Sequence, residues 1–387
     1  MSKHYTILVL MFCLLSCGQK TTNSSVEVLI TEDKVRKMLP LEIGSQAPDF
    51  NLLGVDDKQH SLNDYSSKVL AVVFSCNHCP SAQKVEDELI RLVSDYKSKG
   101  LDLVMISSCD DKAVRLDELR FSVLGDGLSD MKIRAQQKKY NFPYLYDGDK
   151  QQVTFAYGAR ATPHIFIFDK ERKLRYQGAV SAREKIEGTD YARDAIEALL
   201  KGEEVTRTTT KTHGCSTKWS YKREAVKKDN EKWKNLPVQL EVIDEKALKE
   251  LVANKSKNLR LINLWSTTCV PCMDEMPDLV EINRMYFKRK FEFITLSTDS
   301  LKDKGRTLNF LQSVHAAQAK KNSQPNYIFK KSGDFELLGD IVSKKWSGAL
   351  PYTLLIAPGG EVIYRVEGRV DVMELKEKII GYLGKWS

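Results

Sequence analysis

Eight cysteines stand in this chain, and four of them fall into two Cys-x-x-Cys pairs, Cys76/Cys79 and Cys269/Cys272. Two thiols at this spacing lie one helical turn apart, so one sulfur can attack a disulfide and the other can resolve the mixed disulfide. The attacking sulfur must be a thiolate. At a helix N-terminus the unpaired amides and the macrodipole favour that charge. On this basis Cys76 and Cys269 are expected to attack, and Cys79 and Cys272 to resolve. Four thiolates can also hold one zinc ion, but each pair has its own strand–turn–helix setting. A purely structural disulfide across three residues would close too small a loop to constrain the chain much.

Two matching series of elements are expected to position the pairs. Residues 69–74, Val-Leu-Ala-Val-Val-Phe, form a continuous apolar run of strand length that ends at the first pair. A helical period follows through Val85, Leu89, Leu92, Val93 and Tyr96, with Gly100 as its stop. Residues 101–106 read as a second strand, which makes a parallel strand–helix–strand unit. Residues 165–168 and 174–176 read as an antiparallel hairpin, and residues 191–200 as a closing helix. The second half repeats the plan, with strands at 259–265 and 291–296, a hairpin at 352–356 and 361–366, and a last helix at 372–383. The expected fold class is α/β, with two domains of one type. Each has a mixed sheet with a parallel βαβ half and an antiparallel hairpin half, flanked by helices. The domains are placed at 41–200 and 236–387, a division that suits 387 residues.

Three further segments complete the chain. Lys3, the apolar residues 6–15 and the sequence Leu-Leu-Ser-Cys ending at Cys17 resemble a bacterial lipoprotein signal, too short in its apolar run to span a bilayer. Cleavage of residues 1–16 would leave a lipid on Cys17, anchoring the chain to a bacterial membrane and facing it toward the periplasm or exterior. Residues 17–40 read as a flexible tether. Residues 201–235, with ten Lys or Arg against five Asp or Glu, read as a basic connecting segment. Its Trp219, Tyr221 and Trp233 are expected to dock it against a domain. The net charge of +8 is dispersed, which argues against nucleic acid as a partner.

The motifs resemble the thioredoxin superfamily. The first half is similar to its redoxin branch, through Cys-Asn-His-Cys-Pro at 76–80, Thr-Pro-His at 162–164 and Gly-Cys-x-x-Lys-Trp at 214–219. The second half is similar to membrane-tethered periplasmic thioredoxins of the cytochrome-maturation type. There Trp265 precedes Cys-Val-Pro-Cys at 269–272 and Glu-Met-Pro at 275–277. The resemblance implies thiol–disulfide exchange with extracytoplasmic proteins, an upstream thiol reductant, and no organic cofactor or metal. It also implies that Pro163 and Pro351 are cis, with Thr162 and Leu350 facing the cysteine pairs. Thioredoxins carry a buried acid six residues before the first cysteine. Here Leu70 and Asn263 stand there, which leaves Glu275 as a substitute candidate. A peroxiredoxin's Pro-x-x-x-Thr-x-x-Cys is absent, so a thiol peroxidase is a minor alternative.

The residues inside the pairs tune them. His78 beside Cys79 is expected to stabilise the Cys76 thiolate and favour the dithiol, while Pro271 stiffens the second turn. A relay from Cys269/Cys272 to Cys76/Cys79 would follow from such a difference. His164, next to Pro163, is expected near the first pair, where Cys76, Cys79, His78 and His164 offer an alternative copper or zinc site. Cys109, at the end of a strand, and Cys215 are candidates for a third redox cysteine. For Cys109 the competing reading is a small buried apolar residue.

Overall fold

The computed structural model describes residues 29–182, 190–317 and 326–384. Two separate mixed sheets organise them. The first contains β1 (Asn51–Gly54), β2 (Gln59–Ser61), β3 (Val69–Ser75), β4 (Leu101–Ser107), β5 (Tyr144–Tyr146), β7 (His164–Phe168) and β8 (Leu174–Gly178), in the order β2-β1-β5-β4-β3-β7-β8. A short ribbon of β6 (Ala161–Thr162) with β9 (Cys215–Ser216) lies beside it. The second sheet contains β10 (Leu240–Ile243), β11 (Leu259–Trp265), β12 (Phe291–Ser297), β13 (Asn326–Phe329), β14 (Tyr352–Ile356) and β15 (Val362–Glu367), in the order β10-β13-β12-β11-β14-β15.

The central strand explains each sheet. Every residue of β3 is buried, so its side chains fill two cores in alternation. Val69, Ala71 and Val73 meet Leu89 and Leu92 of the helix Pro80–Tyr96 on one face. Leu70, Val72 and Phe74 meet Tyr157 and Phe166 on the other. β3 runs parallel to β4 and antiparallel to β7, and β7 turns back into β8. β11 repeats this against β12 and the β14–β15 hairpin. The parallel half and the hairpin half expected from sequence are both present in both sheets.

One segment differs from expectation. The tether is ordered from residue 29 on: Thr31 caps the helix Glu32–Lys37, and Ile30 and Met38 are buried against Trp219. The Arg160 guanidinium donates to the carbonyls of Val35 and Arg36 at 2.9 Å each. Apolar residues at 30, 35 and 38 within a polar stretch gave this segment a face to bury. The expected signal and the lipid-bearing Cys17 lie outside the described residues. The connecting segment docks, as its aromatic residues imply, and it does so on both halves. Trp219 is buried beside Phe155, and the helix Arg223–Lys234 sets Trp233 edge-on to Phe287.

The halves also meet directly. Leu119 and Val123 pack on the second core, Lys288 pairs with Asp117, and Arg289 donates to the Arg120 carbonyl at 3.1 Å. Among the described residues, no helix is long and apolar enough to cross a membrane.

Candidate functional site

The first pair lies where β3 ends and its helix begins. Cys79 is the N-cap residue, and Pro80 takes the first helical position, where a missing N–H costs nothing. Thr162-Pro163 is cis, as the resemblance implied, and folds against both sulfurs. Cys76 Sγ lies 3.2 Å from Thr162 Oγ1, and Cys79 Sγ lies 3.2 Å from the Thr162 carbonyl, which can accept from it only when Cys79 is protonated.

The tertiary structure adds the other two thiols. Cys109, just past β4, and Cys215, on β9, join Cys76, Cys79 and Ala82 in one cluster. The Cys215 amide donates to Cys79 Sγ at 3.3 Å, and the Lys218 amide donates to Cys109 Sγ at 3.3 Å. Charge therefore gathers on a different sulfur from the one expected. Hydrogen bonds from the Cys215 and Cys76 thiols and from the Ala82 and Cys215 amides hold the Cys79 thiol far below the usual range, against its burial. Burial pushes the Cys76 thiol up, with its contacts to Cys109 and Cys79 adding to the shift. The physical reason is the helix start. Cys79 stands at that start, and the Cys215 thiol and amide that β9 brings to it donate to this sulfur.

His78 is buried and turned away from solvent. Its Nδ1 pairs with Asp126, whose other oxygen accepts from the Asn77 and His78 amides at 2.8 and 3.1 Å. Burial would lower its pKa, but the Asp126 charge and hydrogen bond outweigh that and raise it to about 9. Asp126 had no sequence signal, because it stands 48 residues away in a loop. His164 corrects the expectation. It shares its face of β7 with Phe166, stacks on that ring at 4.2 Å and bonds Gln177 at 3.2 Å. Burial depresses its pKa to about 4. Strand alternation turns it toward the Phe74–Phe166 core, away from the helix that Cys79 caps. The metal-capable group is consequently Cys76, His78, Cys109 and Asp126, whose ligand atoms lie within 4.8 Å of one another. Thiolates and imidazole suit a soft cation.

At the second pair Cys269 caps the helix Val270–Tyr286, with Pro271 in its first turn. Cys269 and Cys272 are joined as a disulfide, beside cis Leu350-Pro351. Val270 is 61% exposed, Cys269 is half-buried and Cys272 is fully buried. Glu275 is buried and accepts from Asn263 Nδ2 at 2.8 Å and from the Val370 amide at 3.0 Å. Burial raises its pKa. A buried carboxyl therefore stands beside Asn263, at the position where the acid of the resembled family is missing. Sequence reading missed Asp299. Burial would raise the pKa of its carboxyl, but hydrogen bonds from Ser266 and Thr307, both at 2.8 Å, and from Ser297 and Thr267 hold it low. It fixes the turn that leads into Cys269.

The sheets define the class as a mixed α/β protein whose two halves repeat one strand plan. Residues 43–177, nearly the whole first sheet, match the model of the AhpC/TSA family. The chain is 24% identical over 133 residues to the thiol-disulfide oxidoreductase ResA of Geobacillus thermodenitrificans, covering 34% of this chain and 67% of that protein. It is 22% identical over 175 residues to ResA of Bacillus thuringiensis subsp. konkukian, covering 45% and 87%. A crystal structure of an uncharacterized conserved protein from Geobacillus kaustophilus is similar at 37% identity and a TM-score of 0.42, covering 46% and 93%.

Proposed function

We propose that this chain is a membrane-anchored thiol–disulfide oxidoreductase that exchanges disulfides with extracytoplasmic proteins at two Cys-x-x-Cys sites. The observation that carries the reading is the repeated geometry. Each pair has one cysteine capping a helix beside a cis X–Pro bond, the setting in which a thiolate is stabilised and a resolving thiol is one turn away. The ResA relatives' names support the same chemistry. Cys269 is the nucleophile of the second site, since it is the sulfur open to a partner, and Cys272 resolves. Leu350 and Pro351 line this site, and Glu275 exchanges its proton. Lipid on Cys17 supplies the anchor, and an upstream thiol reductant supplies electrons.

A relay within one chain is constrained. The helix Val270–Tyr286 spans roughly 25 Å; residues 116–118 of the first half pack on the helix itself, and Lys288 and Arg289, just past its far end, add polar contacts. Transfer between anchored neighbours avoids this separation. The test is reduction of a disulfide-bonded protein such as insulin by the reduced full-length chain. Cys272→Ala should trap a covalent adduct at Cys269. No reduction by the wild type and no adduct with the variant would refute the reading. A second reading, binding of copper or zinc, is favoured by the grouping of Cys76, His78, Cys109 and Asp126. Metal analysis of the reduced protein tests it, and hydroperoxide consumption tests a peroxidase.

A further inference from the structure

The first site lacks what the second has, an open sulfur on its pair. Cys76 is 2% exposed and Cys79 fully buried. The chain around β9 lies against Cys79, through the Cys215 amide, and outside the residues matched by the AhpC/TSA family. β9 pairs antiparallel with β6, setting Cys215 opposite Thr162 and Ser216 opposite Ala161. It thus adds a strand to the edge that precedes cis Pro163, as an extended peptide does in strand addition. Gly214 makes the approach possible: its φ is +153°, and a Cβ there would lie 1.9 Å from the Thr162 carbonyl oxygen. The strap is pinned onward by the Thr217 amide to the Arg160 carbonyl at 2.9 Å and by Gln151 Nε2 to the Lys218 carbonyl at 2.9 Å. Of the four clustered sulfurs, Cys215 alone is half-open. It lines a cleft of about 800 Å³ together with Pro80, Ser81 and Pro163.

We propose that Cys215 is the exchange thiol of the first site, a built-in third redox cysteine through which the buried Cys76/Cys79 pair reacts with protein thiols that enter this cleft. The inference rests on the oxidoreductase reading above. Its hydrogen bond to Cys79 and its burial push the Cys215 thiol up in the reduced site; in the oxidised pair the first of these is gone, and the Cys215 sulfur gives up its proton as it attacks Cys79 Sγ, its neighbour. The Cys79–Cys215 bond forms, the Cys76–Cys79 bond breaks, and Cys76 leaves with the electron pair and takes up the proton that Cys215 gave up. No net oxidation occurs in that step. A partner thiolate then attacks Cys215 from the cleft, and Cys79 leaves as the thiolate its amides stabilise. The partner's second thiol attacks its own bound sulfur and releases Cys215. In sum a partner dithiol is oxidised to a disulfide and the site gains two electrons and one proton, on Cys76, while the second proton passes to solvent and Cys79 stays a thiolate. Run in reverse, a partner disulfide is reduced.

The test uses the full chain with Cys269→Ser and Cys272→Ser, so that only the first site reacts, and a dithiol protein such as reduced thioredoxin as probe. Adding Cys215→Ser should slow exchange by about tenfold or more, while peptide mapping still finds the Cys76–Cys79 disulfide after oxidation. In a second measurement, Cys76→Ser in the same background should form a Cys79–Cys215 disulfide on mild oxidation. Undiminished exchange with Cys215→Ser, or a free Cys79 thiol in the oxidised Cys76→Ser chain, overturns the relay alone. No exchange by the parent chain overturns the oxidoreductase reading of this site as well.

Discussion

Replacing Asp126 by Asn isolates one charge at the first site. Asn keeps an oxygen for the Asn77 and His78 amides, now at 2.8 and 3.1 Å from the carboxylate, and removes the negative partner of His78. In the wild type burial acts to depress the His78 pKa, and Asp126 overrides it, raising the value from 6.5 to about 9. A raised pKa in the folded state means that the proton is bound more tightly there than in the unfolded chain. The resulting stability is present in full below about pH 6.5 and is lost as pH rises through about 9. That interval corresponds to about 3 kcal/mol. The direct assay is NMR titration of the His78 imidazole in the reduced chain, which should report a value near 9 in the wild type and below 6.5 in Asp126→Asn. Urea unfolding of both proteins between pH 6 and pH 9.5 supplies the energy. The wild type's advantage should shrink by about 3 kcal/mol across this range. A wild-type His78 that titrates near 6.5, or parallel pH dependences of the two proteins, would refute the argument.

Asp147 behaves in the opposite sense. Burial raises its pKa from 3.8 to about 6, although Thr154 donates twice to it at 2.6 Å. Its ionisation therefore costs about 3 kcal/mol of stability as pH rises from 3.8 through 6. Asp147→Asn should raise the urea midpoint at pH 7.5 and leave it little changed at pH 4, and a lower midpoint at pH 7.5 would contradict this. Gly214→Ala should lift the strap, because its Cβ would meet backbone. Stability should fall by about 2 kcal/mol, and Cys79 should alkylate faster; an unchanged alkylation rate would show that the strap is not what covers it. Cys17→Ser should move the protein from the membrane fraction to the soluble one, as read by fractionation and immunoblot.

Features that depend on near neighbours along the chain were legible in the residues. The apolar run of β3 had to be buried on both faces, each Cys-x-x-Cys had to fall where a strand gives way to a helix, and the repeated order of elements required the sheet to occur twice. These follow from period and spacing over a few residues. Pro163 and Pro351 beside the cysteine pairs were reached through resemblance, since general chain statistics favour trans. What only the tertiary structure decided is which distant groups meet. Cys215 stands 136 residues from Cys79, and Asp126 stands 48 from His78. Neither separation leaves a trace in local pattern, because the contact is made by loops whose course is set by packing. The direction of His164 was also undecidable from its position next to Pro163. Only strand register assigns a side chain to one face, and a shift of one residue reverses it. The same cause governs the thiolate: the Cys215 thiol from far along the chain, the Cys76 thiol and two backbone amides converge on Cys79, and their sum is a property of the folded chain alone.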